Sequence, residues 1–255
     1  MTLRALANSL LFSLFQPPCA ACKQVLTQPL NGAVCERCWA SIATSAFAKA
    51  SPFAKATVDK TVDKPVAKTV DWAGAFGLYE GRLRDIIHAF KYEGRRSIAK
   101  PLGALMRESG AVLLQDADVV VPVPLHPRRE RARGFNQADD LARQLGLPVA
   151  RLLHRVRYTT SQIELPADER HQNVRDAFAL ARIPDPGSHL RQGFHLRQGY
   201  GGQAGGQARI PAVIVLVDDV STTGATLEAC ARVLKAAGVK EVRALTAARV
   251  ATGRR

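Results

Sequence analysis

The sequence predicts an α/β fold, a doubly wound parallel sheet preceded by a small four-cysteine ribbon. Three observations predict it. From residue 72 onward, apolar runs of strand length alternate with segments of helical spacing. One run, VIVLVDD at 213–219, is apolar without alternation, as in a strand covered on both faces. Two Cys-x-x-Cys pairs lie close together near the N-terminus.

Residues 1–18 read as an amphipathic helix. Leu3, Leu6, Leu10 and Leu14 fall near one face, and Pro17-Pro18 ends it. Such a stripe packs on a surface, most simply the rest of the chain. A secretory leader is the rival reading. The single early Arg4, the interruption at Asn8 and Ser9, and the lack of a small-x-small site before Cys19 argue against it. No apolar run reaches the roughly 18–20 residues of a membrane span, so the expected location is the cytoplasm.

Residues 19–43 carry Cys19-x-x-Cys22 and Cys35-x-x-Cys38, separated by twelve residues. Each pair turns two sulfurs toward one centre, and two pairs complete a tetrahedron, the pattern of a structural zinc site with no open position for catalysis. Lys23 and Arg37 would partly offset the charge of four thiolates. Two disulfides or a redox pair are the alternatives. A cytoplasmic location disfavours the first, and the second needs only one pair. Cys230 falls on the apolar face of a later helix and reads as a core thiol.

Residues 44–70 repeat FAKAS/FAKAT and TVDK and offer little to bury, so they read as a linker. Residues 72–255 read as one domain. A strand is expected at 73–79, then a helix carrying Leu83, Ile86, Ile87 and Phe90. A second helix at 96–114 precedes a short buried strand at 117–124. Ala138, Leu141, Ala142 and Leu145 mark a further helix. After the 213–219 strand, Leu227, Cys230, Ala231 and Leu234 mark a helix stopped at Gly238, and 241–250 is the last strand. Residues 185–209 repeat HLRQG and then turn to Gly and Gln. They read as an inserted, disordered surface loop.

The chemistry concentrates at 213–226. The strand delivers Asp218 and Asp219 to its carboxyl end, where open α/β sheets bind ligands. Ser221, Thr222, Thr223, Gly224, Ala225 and Thr226 then turn into a helix, whose first N–H groups and positive end suit a phosphate. Two carboxylates beside a phosphate cradle suit sugar hydroxyls or a hydrated Mg²⁺. VIVLVDD also resembles the acidic strand of a nucleotide triphosphatase, but no GxxxxGK[ST] run exists. The GxGxxA match at 199–204 follows no strand. An ordinary strand-to-helix turn with a threonine cap is the plainest alternative. The net charge of +14, densest in the RRERAR run at 128–133, suits either an anionic partner or a solvated surface.

These residues resemble the phosphoribosyl-pyrophosphate signature of type I phosphoribosyltransferases: an apolar strand, two acids, then TTGAT. The cysteine ribbon, FKYEG at 90–94, VPVPLHPRRERARGFNQ at 121–137 and TTSQIELPADERHQNV at 159–174 narrow the resemblance to the ComF family. Those are competence-associated proteins with a zinc ribbon and a phosphoribosyltransferase domain. The resemblance implies a type I phosphoribosyltransferase-like sheet domain. Asp218 and Asp219 would hold the ribose hydroxyls. Thr222, Thr223, Gly224, Ala225 and Thr226 would hold the 5-phosphate. Pro124, Leu125 and His126 match the pyrophosphate position, with Arg128, Arg129, Arg131 and Arg133 as a mobile cationic flap. His126 reads equally as a turn residue. Lys91 and Tyr92 either face the cleft or belong to a snorkelling helix end. Gln162, Arg170 and Asn173 fall on the implied acceptor side. The segments 44–70 and 185–209 depart from the family pattern.

Two functions follow from the resemblance. One is transfer of ribosyl 5-phosphate from phosphoribosyl pyrophosphate, with Mg²⁺ and release of pyrophosphate. The other is a non-catalytic module for phosphate or single-stranded DNA, working with DNA-uptake proteins. A fold alone does not choose between them.

Overall fold

The computed structural model describes residues 3–49, 54–55, 69–157, 174, 176–181 and 211–251. The acceptor-side residues Gln162, Arg170 and Asn173 and the whole of 185–209 lie outside the described residues.

The N-terminal helix is present at Leu3–Phe15 (α1). Its apolar stripe does not cover the rest of the chain as expected. Leu3, Leu6, Leu10 and Leu14 are exposed, and the helix touches mainly the 3-10 turn at Pro29–Asn31, where Leu30 N–H donates to Asn8 Oδ1. The periodicity is correct for a helix, but it carries no information about what the helix covers.

The second cysteine pair opens Glu36–Lys49 (α2). The ribbon boundary expected at residue 43 therefore falls inside a helix, and 44–49 continue it. Ala54–Lys55 (β1) pairs antiparallel with Trp72–Leu78 (β2). Alanine is the best helix former, so an Ala/Lys/Thr segment that offers little to bury still extends a helix already begun.

Gly81–Tyr92 (α3) buries Leu83, Ile86, Ile87 and Phe90, as its spacing predicts. The helix expected over 96–114 is divided. A 3-10 turn at Arg96–Ile98 leads into Ala99–Ser109 (α4), and Ala111–Leu114 (α5) follows a break at Gly110. A Cβ at Gly110 would lie 2.6 Å from Leu245 Cδ2, so the close approach to the sheet requires glycine there. Val119–Pro122 (β3) leads through Pro127–Arg133 (α6) to Gln137–Ala142 (α7). Leu153–Arg155 (β4) and Phe178–Leu180 (β5) form a separate antiparallel pair. Val213–Ser221 (β6), Ala225–Ala236 (α8) and Glu241–Arg249 (β7) complete the described elements.

The main sheet has the order β1-β2-β7-β6-β3, with β2, β7, β6 and β3 all parallel. Both faces of β6 are covered. Val215 and Val217 join the core under α3, α4 and α7, while Ile214 and Leu216 join the core under α8. That two-sided burial is why its sequence does not alternate. The ribbon shares the first core through Cys19, Leu26, Val34, Cys38 and Ile42, and α2 packs on β2. Thr69 and Asp71 lie against the second helical layer. Thr69 N–H donates to Glu228 Oε2 at 3.1 Å, and Asp71 pairs with Lys235 at 2.6 Å. No described helix is long and apolar enough to cross a membrane.

Candidate functional site

At the carboxyl end of the parallel strands lies an open cleft of about 710 Å³. Its floor is the end of β6. Asp218 pairs across the sheet with Thr246, so register with β7 fixes where the acids emerge. Asp218 Oδ1 accepts from Asp219 N–H at 2.8 Å, and Asp219 Oδ1 pairs with Lys91 Nζ at 2.8 Å. Lys91 comes from the last turn of α3. Its neighbours Ile86, Ile87, Ala89 and Phe90 are fully buried, which sets the turn against the sheet and sends the lysine into the cleft. The snorkelling alternative for Lys91 is thereby settled against.

Burial first, then the Asp219 charge, push the Asp218 carboxyl up to about 7, against the pull of Lys91, the Asp219 N–H and Arg155. Burial tends to lower Lys91, but Asp219 and then Asp218 outweigh it and hold the ammonium above its usual range. Asp218 thus keeps its proton in the folded chain to about pH 7, and in the unfolded chain only to about 3.8. The group contributes stability that is present below the unfolded value and lost as pH rises through the folded one. In magnesium-free buffer, Asp218→Asn is expected to melt above the parent at pH 8 and to lose that advantage toward pH 4. Equal shifts at both ends of this range would contradict the assignment.

Past the acids, Thr222 and Thr226 line the cleft, and Gly224 makes the turn into α8 with φ +78°. No atom obstructs a Cβ there, so glycine is needed for its left-handed backbone rather than for space. Thr223 Oγ1 accepts from Ala225 N–H at 3.4 Å. Thr223, Gly224 and Ala225 shape the turn without lining the cleft.

The opposite wall is the 124–134 segment. Pro124, Leu125, Arg129 and Arg133 line the cleft. Arg128 and Arg131 are exposed on the other side of α6, because residues four apart share a helix face and their neighbours do not. The expected mobile flap is a two-turn helix here. Pro127 begins it, His126 Nδ1 caps it by accepting from Arg128 N–H at 3.2 Å, and Gly134 closes it in a left-handed conformation. Proline at the start and glycine past the end is a helix signature, and it stands in the sequence. Burial and then Arg128 lower the His126 pKa, which favours the neutral imidazole that accepts at Nδ1. His126 therefore serves as a cap outside the cleft lining. Asn136 anchors the far end, accepting from Ala138 N–H and donating to Val123 O.

Sequence reasoning missed Arg155 and Tyr79, which also line the cleft. Arg155 is buried on β4, 5.3 Å from the Phe178 ring on β5. Strands of three residues are too short to show a period, so nothing flagged it. Tyr92 stands at the rim, with the Arg133 guanidinium 5.3 Å above its ring.

The second constellation is the ribbon. The Sγ atoms of Cys19, Cys22, Cys35 and Cys38 lie within 4.8 Å of one another, placed to hold one metal ion. Cys19–Cys38 and Cys22–Cys35 separations are 3.9 and 3.8 Å. A tetrahedron with metal–sulfur bonds of ~2.3 Å has edges of about 3.8 Å, whereas a disulfide would be ~2.05 Å. All five cysteines are free thiols. Burial raises Cys19, but backbone N–H groups of Cys22, Cys35 and Ala21 overcome it and bring the thiol down to about 6. Cys230 is fully buried, and burial raises its pKa well above the usual value, as a core thiol requires.

A phosphoribosyl transferase domain model matches residues 118–255, more than half of the chain. Competence protein F of Haemophilus influenzae is 31% identical over 176 residues, covering 65% of this chain and 67% of that protein. The chain belongs to the ComF family. Two further ComF-type relatives are the DNA utilization protein YhgH of Escherichia coli, 33% identical over 181 residues, and the competence protein ComFC of Streptococcus pneumoniae, 26% over 171. The first alignment covers 64% of this chain and 66% of its relative, the second 67% and 65%. The chain spans about two thirds of the length of the relatives it matches. The ComF assignment accounts for the pairing of a ribbon arranged as in zinc proteins with a phosphoribosyltransferase-type α/β sheet.

Proposed function

We propose that the cleft binds phosphoribosyl pyrophosphate and that the chain transfers its ribosyl 5-phosphate group in the cytoplasm. The observation that carries this reading is one cleft lined by Asp218, Asp219, Thr222 and Thr226 on one side and by Arg129 and Arg133 on the other. The acids accept hydrogen bonds from the ribose hydroxyls. Thr222 and Thr226 hold the 5-phosphate from the cleft wall, and the turn through Thr223, Gly224 and Ala225 brings the positive start of α8 toward it. Pro124 and Leu125 pass along the pyrophosphate, Arg129 and Arg133 meet its charge in the cleft, and Arg128 and Arg131 add to the field from the outer face. His126 contributes by capping their helix.

The bond between C1 and the pyrophosphate oxygen breaks with its electron pair on pyrophosphate, and a nucleophilic acceptor bonds to C1. Positioning and charge stabilisation of the leaving group suffice, so no side-chain nucleophile is needed. Asp218 and Asp219 both line the cleft and form a hard-oxygen donor set, so the pair fits Mg²⁺. Bound with the donor, Mg²⁺ would supply positive charge against the polyphosphate. The ribbon's ion is zinc in a structural role, held by Cys19, Cys22, Cys35 and Cys38.

A second reading keeps the cleft as a non-catalytic site for phosphate or single-stranded DNA. Arg133 over Tyr92 favours it, as a cationic and aromatic rim of the kind that tracks a single strand. The names of the relatives, competence and DNA utilization, support a DNA-related role under either reading. Labelled pyrophosphate release from the donor, measured across candidate nucleophilic acceptors, separates them. Release above the rate without protein, lost in Asp218→Asn/Asp219→Asn, supports transfer. Donor binding without release, joined to salt-sensitive single-strand binding, supports the second reading.

A further inference from the structure

The Lys91 ammonium already sits against the acid pair on which a metal ion would be held. Asp219 Oδ1 lies 2.8 Å from the Lys91 ammonium, and both side chains are largely buried. Asp218 Oδ1 is engaged by the Asp219 N–H. A divalent ion bound to either carboxylate would come to about 2.1 Å from an oxygen. It would sit within a few ångströms of the ammonium paired with Asp219 and be repelled by it. Asp219 and Asp218 together hold that charge in place despite its burial.

We propose that Lys91 is a built-in counter-ion that excludes divalent metal from the acid pair until an anionic ligand draws the ammonium away. Lysine suits this role. Its charge is compact and sits on a flexible four-carbon stem, so the ammonium can leave one anion for another without moving the backbone. The segment that carries it stays put, because Phe90 and Ala89 beside it are fully buried. Arg129 and Arg133 line the same cleft and attract anions into it, so a polyphosphate entering there arrives within the lysine's surroundings. Metal and donor then load together rather than metal first. The ordering of metal and donor rests on the phosphoribosyl reading, while the counter-ion role does not.

The test uses the full-length, zinc-loaded chain with no donor present. Binding of Mn²⁺, standing in for Mg²⁺, is followed by electron paramagnetic resonance of the free ion. The parent is expected to bind Mn²⁺ weakly, and Lys91→Met to bind it at least tenfold more tightly. Lys91→Arg keeps the charge and should stay near the parent. Lys91→Met/Asp219→Asn removes an acid as well and should lose the gain. Lys91→Gln, which keeps a hydrogen-bond donor but not the charge, serves if the methionine variant melts early. Unchanged Mn²⁺ affinity in the neutral variants overturns the proposal, as does an arginine variant that gains as much as methionine. A merely structural lysine would lower the melting temperature without moving Mn²⁺ affinity. A separate donor titration of the parent keeps the two claims apart. If the donor fails to bind, the phosphoribosyl reading falls, while the donor-free Mn²⁺ comparison still decides the role of Lys91.

Discussion

Serine in place of Cys38 is expected to empty the ribbon of metal and unfold residues 19–43. The four sulfurs lie within 4.8 Å of one another, two of their separations at the edge length of a zinc–thiolate tetrahedron, and Cys38 is one of the two that are fully buried. Around them the ribbon buries only small or single apolar side chains, namely Ala20, Ala21, Leu26, Ala33, Val34 and Ile42. A core of that size does not hold a fold alone, and structural zinc contributes an apparent 10–16 kcal/mol, roughly, in comparable peptides at neutral pH. The damage should spread beyond the ribbon, because α2 begins at the second cysteine pair and packs on β2. Elemental analysis should find about one zinc per parent chain and almost none in the variant. Limited proteolysis should cut the variant within 19–43 while the sheet domain persists with a lowered melting temperature. Cys230→Ser is the control, expected to keep its zinc and to lose only core stability. Retained zinc in Cys38→Ser would refute the four-thiolate site.

Asp218→Asn/Asp219→Asn is expected to lower donor affinity on the order of 100-fold. Each acid offers a charge-assisted acceptor to a ribose hydroxyl, roughly 1.5–3 kcal/mol apiece, and about 3 kcal/mol is a factor of roughly 100. The substitutions keep size and shape, so the backbone of β6, set by its pairing with β7 and β3, should not move. Asp218→Asn alone should also make the protein more stable at pH 8, where the Asp218 carboxyl, pushed up to about 7, is otherwise charged. Asp219→Asn leaves the buried Lys91 ammonium without its partner and offsets that gain in the double variant. Lower affinity together with higher stability in the Asp218→Asn single variant separates a functional site from a structural one.

What was legible in the sequence was whatever repeats or stays contiguous. The acids and the turn at 218–226 stand on one strand-turn-helix, so their proximity needs no tertiary information. The two cysteine pairs carry their own spacing. Lys91 was undecided, because a lysine in the last turn of a helix reads the same whether it points to water or to a carboxylate from a distant strand. Arg155 was missed because β4 has three residues, one buried cation among them, and no period. The arginine segment was legible as a helix from Pro127 and Gly134, yet its charge suggested a flap. Charge sets which ligands a segment favours, and the caps set its backbone. The exposed stripe of α1 marks the opposite limit. Periodicity gives a helix its face but not its partner.

The most direct test of the central claim is a calorimetric titration of the full chain with phosphoribosyl pyrophosphate in excess Mg²⁺. Saturable binding at one site per chain, competed by pyrophosphate and lost in Asp218→Asn/Asp219→Asn, is the predicted result. No saturable heat in the parent, or equal affinity in the double variant, would contradict it.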